Sequence, residues 1–188
     1  MEFKLLNNNP QVIFKESFLT KEEISLLLEI KDFSKNKAVR IGEGSERSSK
    51  TYFEKNQEFI SIKKKIFNFL SSINFNYSFE NYEEIRIIKY EEGQQFTRHY
   101  DFLNQNPKES TVYNDRVATV LIYLKEPEEG GKTIFNDLNI EVTGKSGDLL
   151  FYRYDTPLKF QTAHTGEKVL KGTKIILGMC VREKTYNK

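Results

Sequence analysis

Residues 118–124 read Ala-Thr-Val-Leu-Ile-Tyr-Leu and form the most strand-like run of the chain. β-Branched and aromatic residues of this kind fit the pleated surface of a sheet. Further short runs of the same character, separated by turns that contain glycine, occupy residues 85–90, 132–135, 140–142, 148–152 and 174–181. Short strands at this spacing predict an all-β sandwich or a jelly roll.

The first eighty residues are predicted to be mostly helical. Thr20 and Glu23 have the spacing of a capping box, and apolar residues follow them at helical intervals. A second helix is predicted over residues 57–74, because its apolar residues fall on one face. Helices first and strands afterwards predict an α+β protein with a mainly β core, in one domain over residues 1–188.

Composition limits the classes of partner. The 188 residues contain 29 basic and 27 acidic side chains, so the net charge is +2, too small to require nucleic acid or an anionic membrane. The chain contains no run of 18 apolar residues, so no membrane helix is predicted. The first ten residues lack the apolar run of a signal peptide. The single cysteine, Cys180, suits a reducing compartment. We therefore expect a cytoplasmic protein.

The chain contains only two histidines, and both are candidate metal ligands. His99 and Asp101 are two residues apart, so on an extended strand they would point to the same face. His164 follows far enough along the chain to lie on another strand. Two imidazoles and one carboxylate are the ligand set of non-haem Fe(II) oxygenases, although zinc uses similar ligands. Acidic residues make up 27 of the 188, so the His99–Asp101 spacing alone is weak evidence.

Lys174 opens the apolar strand that follows His164 by ten residues. A lysine at this place either extends to solvent at the end of the strand or faces inward. An inward ammonium group is costly unless an anion pairs with it. An anionic co-substrate beside a metal would supply that anion.

Together these motifs resemble the prolyl 4-hydroxylase branch of the Fe(II)/2-oxoglutarate-dependent dioxygenases. Residues 90–101 carry the resemblance most clearly, with the sequence Tyr-Glu-Glu-Gly-Gln-Gln-Phe-Thr-Arg-His-Tyr-Asp. The other matching stretches are 116–124, 128–135, 147–152 and 164–174, together with 18–23 and 47–49 nearer the N-terminus. The resemblance implies a double-stranded β-helix, or jelly roll, over residues 82–182, with helical support and a substrate loop in residues 1–80.

Roles for individual residues follow from the resemblance, position by position. It implies that His99, Asp101 and His164 hold Fe(II). It also implies that Lys174, with the hydroxyls of Tyr90 and Thr133, binds the distal carboxylate of 2-oxoglutarate, and that Arg47 and Arg116 contact a peptide. The implied reaction consumes O2, converts 2-oxoglutarate to succinate and CO2, and hydroxylates proline in a peptide or protein, with ascorbate as a reductant.

Two positions depart from the family pattern on the substrate side. Many members carry tyrosine three residues before the first ligand, where this chain has Phe96, and tryptophan six residues after the lysine, where it has Cys180. The alternatives are therefore the same chemistry on another side chain, a small molecule or a nucleobase, or a jelly-roll binding module without catalysis. We interpret Cys180 as a small buried hydrophobic residue.

Overall fold

The computed structural model describes residues 2–29, 49–53, 57–103 and 115–186. Within these ranges the chain forms two α-helices, α1 (Lys21–Leu28) and α2 (Gln57–Ser72), and thirteen strands. The strands are β1 (Lys4–Asn7), β2 (Val12–Lys15), β3 (Lys50–Phe53), β4 (Arg86–Tyr90), β5 (Phe96–His99), β6 (Arg116–Lys125), β7 (Glu129–Gly130), β8 (Thr133–Phe135), β9 (Ile140–Val142), β10 (Leu149–Arg153), β11 (His164–Gly166), β12 (Val169–Lys171) and β13 (Lys174–Arg182). Three short 3-10 helices occupy Phe79–Asn81, Asn136–Leu138 and Lys159–Thr162.

The strands form two facing antiparallel sheets, which confirms the predicted jelly roll. The major sheet has seven strands in the order β1-β2-β10-β6-β13-β4-β3. The minor sheet has four strands in the order β5-β11-β8-β9, and β12 pairs with β7 in a separate ribbon. Because most neighbouring strands are not consecutive in the sequence, residues that are far apart along the chain meet between the sheets.

Alternation along the strands divides the interior into two layers. On β10, Leu149 and Phe151 belong to the core cluster beneath the helices, whereas Leu150 and Tyr152 belong to the cluster between the two sheets. Successive side chains of a strand point to opposite faces, which produces this division. The layer between the sheets therefore contains the side chains available to a site.

The two helices cover the outer face of the major sheet. As predicted, α1 begins with a capping box, in which the Thr20 hydroxyl accepts from the Glu23 amide and the Glu23 carboxylate accepts from the Thr20 amide. Helix α2 ends at Ser72, two residues before the predicted end, and buries residues such as Ile66 and Leu70. Neither described helix is both long and apolar enough to cross a membrane.

The first eighty residues contain three strands that the sequence did not predict, besides the two helices that it did. Strands β1, β2 and β3 lie in this region and extend the major sheet at both of its edges. Val12 and Ile13 of β2 are fully buried and pair with β10. Runs of four residues are too short to show a clear period of two, so their pairing with distant strands decides their structure.

Candidate active site

Three potential metal ligands converge between the sheets. One ligand atom from each of His99, Asp101 and His164 lies within 4.8 Å of the others. His99 ends β5 and His164 begins β11, and the two residues are directly opposed in the pairing of these strands. Asp101 lies beyond the end of β5, so the expectation that it shares an extended strand with His99 is wrong. The bend after His99 nevertheless returns the carboxylate to the two imidazoles.

Hydrogen bonds orient both imidazoles toward this point. The Nδ1 atom of His99 lies 2.8 Å from the Thr97 carbonyl oxygen, and that of His164 lies 3.0 Å from the Thr162 carbonyl oxygen. A carbonyl only accepts, so each Nδ1 donates and each Nε2 keeps its lone pair. Metal-binding histidines are oriented in this way by a partner at the other nitrogen.

The Asp101 carboxylate is held in its ionised form. The hydroxyls of Thr119, at 2.7 Å, and Tyr152 donate to its Oδ2 atom. Burial alone would raise the pKa of Asp101, but His164, His99 and the Tyr152 hydroxyl hold it well below the ordinary value. Because it stays charged, Asp101 can ligate a divalent cation.

Burial also favours the neutral form of His164. It lowers the pKa of His164 to about 4, and the neighbouring His99 lowers it further than Asp101 can raise it. A neutral imidazole ligates a metal without first losing a proton. Two imidazoles and a carboxylate on one side of an open space fit Fe(II) with positions left for other ligands.

Lys174 lies near the triad and points inward. This decides between the two orientations that the sequence left open. Its side chain is 3% exposed, and its Nζ atom donates to the Gly131 carbonyl oxygen at 2.6 Å. Gly131 has a φ of +72°, a conformation that favours glycine and aims this carbonyl at the lysine. No ion pair joins Lys174 to a carboxylate within the described ranges. Burial lowers its pKa to about 8.

Tyr90 and Thr133 line the same pocket as Lys174, and their role in binding a carboxylate stays a prediction. Tyr90 is opposite Lys174 in the β4–β13 register, and its ring centroid lies 5.9 Å from Nζ. Thr133 is 2% exposed, and its hydroxyl accepts from the hydroxyl of Tyr123 at 2.9 Å. Its own proton remains available for an acceptor in the pocket. A cation and hydroxyl groups at this end form an environment suited to a carboxylate.

The two predicted substrate-binding arginines have different outcomes. Arg47 lies outside the described residues. Arg116 lines the pocket, and its Nε and Nη2 atoms donate to the two carboxylate oxygens of Glu83 at 2.8 and 3.1 Å. Its Nη1 atom donates to the Asp101 carbonyl oxygen at 3.2 Å. Arg116 therefore connects Asp101 with Glu83. Its contact with a peptide stays a prediction.

Several site residues were not identified from the sequence: Glu83, Arg86, Thr119, Tyr123 and Tyr152. Thr119, Leu121 and Tyr123 are every second residue of β6, so the strand period of two predicts that they share one face. No sequence signal says whether that face is the inner one. Phe96 stacks on His99 with ring centroids 3.4 Å apart. Cys180 is buried, as predicted.

One pocket is lined by the metal-ligand triad and by the cations Lys174, Arg86 and Arg116. The triad lies on its minor-sheet side, Lys174 and Tyr90 at one end, and Arg86 and Arg116 at the other. Candidate metal ligands and inward-facing cations therefore share one space.

Comparison with known proteins agrees with this geometry. Residues 85–182 match the family model of the 2OG-Fe(II) oxygenase superfamily. A probable prolyl 4-hydroxylase 10 of Arabidopsis thaliana is 28% identical, over 91% of this chain and 68% of its own length. A prolyl 4-hydroxylase subunit alpha-2 of Caenorhabditis elegans is 33% identical over 54% of this chain, and this match spans only 20% of that relative.

A solved structure shares nearly the whole fold. It is a viral collagen prolyl hydroxylase from Paramecium Bursaria Chlorella virus-1 in complex with 2OG, with a TM-score of 0.74 and 27% sequence identity. The match covers 91% of this chain and 95% of that one.

Proposed function

This chain belongs to the 2OG-Fe(II) oxygenase superfamily, and from that premise we propose that it hydroxylates proline residues in a peptide or protein. The co-substrates are 2-oxoglutarate and O2, and the metal is Fe(II). The similar proteins named as prolyl hydroxylases support the proline assignment. Ascorbate is proposed as a reductant.

One observation carries the proposed reaction: a triad of candidate metal ligands shares one pocket with a buried lysine that has no carboxylate partner among the described residues. His99, Asp101 and His164 supply the ligands. Lys174 is a buried cation for which the described ranges contain no ion pair. A jelly-roll binding module without catalysis would require neither feature.

The triad residues would hold the metal. When bound, Fe(II) and 2-oxoglutarate supply the chemistry, in which 2-oxoglutarate is oxidised to succinate and CO2 and one oxygen atom of O2 enters a substrate C–H bond. The chain supplies imidazoles at His99 and His164 and a charged carboxylate at Asp101. The Thr119 and Tyr152 hydroxyls keep that carboxylate ionised and oriented.

The co-substrate end would bind and orient a dicarboxylate. In the proposed complex Lys174 pairs with its distal carboxylate, assisted by the hydroxyls of Tyr90 and Thr133. Apolar side chains such as Ile88 and Ile176 line the space between this end and the arginines. They exclude water from the reacting groups, which strengthens electrostatic interactions in the pocket.

The test is a panel of proline peptides and the same peptides with proline changed to alanine, incubated with Fe(II), 2-oxoglutarate and O2. We expect a mass gain of about 16 Da on proline peptides alone, with succinate formed in equal amount. If no proline peptide gains oxygen while another substrate class does, the proline assignment fails and the oxygenase assignment remains. If no succinate forms with any substrate, the oxygenase assignment fails as well.

A further inference from the structure

The end of the pocket opposite Lys174 contains a second inward-facing cation, Arg86. On β4, alternation places Arg86, Ile88 and Tyr90 on the pocket face. Tyr90 is opposite Lys174 in the β4–β13 register, whereas Arg86 is opposite Gly178. Four residues of a strand span about 13 Å, so Arg86 is too far along β4 to share the carboxylate proposed for Lys174.

The hydrogen bonds of Arg86 leave much of its guanidinium unsatisfied. Its Nη2 atom donates to the Cys180 Sγ atom at 3.0 Å, and a thiol is a weak acceptor. Its Nε atom is buried and has no hydrogen-bond partner within the described part of the chain. A buried guanidinium N–H is costly without an acceptor. An acceptor brought by a ligand would therefore be stabilised at this atom.

The neighbouring arginines differ because a carboxylate already satisfies them. Arg116 contacts both oxygens of Glu83, and Arg182 donates from Nε to Oε1 of the same residue at 2.5 Å. Burial alone would raise the pKa of Glu83, but these arginines and Arg86 hold it below the ordinary value. Glu83 is thus committed to Arg116 and Arg182 and offers no hydrogen bond to Arg86.

The count of charges at this end has an excess of cations. Among the described residues at this end, Arg86, Arg116 and Arg182 carry three positive charges, and Glu83 carries one negative charge. Asp101 is directed at the two histidines and would be neutralised further by a bound divalent metal. The electrostatic environment therefore favours an anionic group on whatever occupies the space beside Arg86.

We propose that Arg86 is a specificity-determining residue that binds a carboxylate of the substrate, so that the preferred peptides carry an acidic side chain next to the residue that is hydroxylated. The inference rests on the proposed function, because it names the substrate class of that same pocket. The buried Nε atom and the excess of guanidinium charge both point to a carboxylate and not to a neutral acceptor. Cys180, a small side chain, lies against the guanidinium without a stronger acceptor to occupy it.

The experiment is a two-by-two panel of peptides, with proline or alanine at the target and Glu or Gln on both sides of it. Affinity is measured by calorimetry with the full chain loaded with Mn(II) and 2-oxoglutarate, so that binding does not depend on turnover. Saturating 2-oxoglutarate keeps Lys174 from binding the peptide carboxylate. The variants are Arg86→Gln, Arg86→Lys and Lys89→Gln. Lys89 is the matched control, because it lies on β4, pairs with Glu91 and is absent from the pocket lining.

We expect the wild type and Lys89→Gln to bind the Glu peptides about 10- to 150-fold more tightly than the Gln peptides, the range for a charge-assisted hydrogen bond. Arg86→Gln should lose this preference, and Arg86→Lys should keep part of it. The inference is overturned if the wild type shows no preference for Glu, including by failing to bind, or if Arg86→Gln keeps it.

The same panel separates this inference from the proposed function. A preference for Glu over Gln in the alanine peptides supports the role of Arg86 whether or not proline is hydroxylated. Equal hydroxylation of the proline and alanine peptides, measured separately with Fe(II) and O2, would contradict the proline assignment alone. Unchanged affinity of Arg86→Gln for 2-oxoglutarate confirms that the variant has kept the fold of the pocket; a fall there together with a lost melting transition would assign Arg86 to folding and overturn the inference.

Discussion

The two ends of the pocket balance their buried charge in different ways. At one end Lys174 contacts a backbone carbonyl, lies beside the ring of Tyr90 and has no carboxylate partner among the residues that the structure describes. At the other end Arg116 and Arg182 share Glu83, and Arg86 donates to a thiol. We propose that the first end binds the small carboxylate of the co-substrate and that the second, with its surplus of guanidinium charge, selects the substrate. On that proposal, the residues that define the reaction and those that define the substrate lie at opposite ends of the pocket.

The metal ligands lie between the two ends, and their removal should have the largest effect. Asp101→Ala removes the anionic ligand and leaves only the two imidazoles of the triad, so we expect loss of Fe(II) binding and of 2-oxoglutarate turnover. Equilibrium dialysis against Fe(II) measures the first and succinate formation the second. The control is Asp155→Ala, because Asp155 pairs with Arg153 away from the triad. Retention of stoichiometric Fe(II) by Asp101→Ala would contradict the assignment of the triad.

Lys174 should affect the binding of 2-oxoglutarate and not the binding of the metal. Lys174→Ala is expected to raise the KM for 2-oxoglutarate by about 10- to 150-fold, because the lost contact is a charge-assisted hydrogen bond. Fe(II) affinity should remain near that of the wild type. Lys174→Met, which keeps most of the side-chain volume, distinguishes lost charge from a cavity, and Lys171→Ala is the exposed control on the preceding strand. An unchanged KM in both Lys174 variants would mean that the carboxylate binds elsewhere.

A change of pH should alter the KM for 2-oxoglutarate by a smaller factor than removal of the lysine. Because burial lowers the pKa of Lys174 to about 8, the amine is mostly charged at pH 7 and mostly neutral at pH 9. A bound carboxylate retains the proton, so the KM for 2-oxoglutarate should rise about tenfold between these pH values. Lys174→Arg should flatten the profile, since a guanidinium stays charged throughout. A flat wild-type profile would contradict this expectation.

The smallest effect is expected at Arg116, which lies between the substrate end and the metal ligand Asp101. Arg116 donates to the Asp101 carbonyl and to Glu83, so Arg116→Lys keeps the charge but loses the bidentate geometry. We expect a rise in peptide KM of about 3- to 10-fold, the equivalent of one net hydrogen bond, and a smaller change in 2-oxoglutarate turnover without peptide. If peptide-free turnover falls as far as peptide hydroxylation, Arg116 acts through Asp101 and not through the substrate.

The sequence predicted best those features that depend on residue type and spacing. His99, Asp101, His164 and Lys174 have chemistry that few structural roles require, and the glycine-separated strands indicated the jelly roll. The four-residue strand β2 was missed because its structure depends on pairing with β10, more than a hundred residues away, and β1 in turn pairs with β2.

The substrate end was harder to predict, because it depends on register. Arg86 contacts Cys180 only because β4 and β13 are neighbours in the sheet. Glu83, Arg116 and Arg182 are far apart in the sequence and meet only in the fold. Nothing in the local sequence of Arg86 distinguishes it from an arginine on the outer face of a strand. Charge balance in a pocket appears only when the strands are assembled.

The most direct test of the central claim is a measurement of 2-oxoglutarate conversion to succinate by the purified chain, first after exhaustive chelation and then after reloading with Fe(II). The claim is that one pocket holds the metal through His99, Asp101 and His164 and the co-substrate through Lys174. It predicts no turnover in the chelated protein, recovery with one Fe(II) per chain, and no recovery in Asp101→Ala. Turnover that survives chelation, or Fe(II)-dependent turnover that persists in Asp101→Ala, would contradict it.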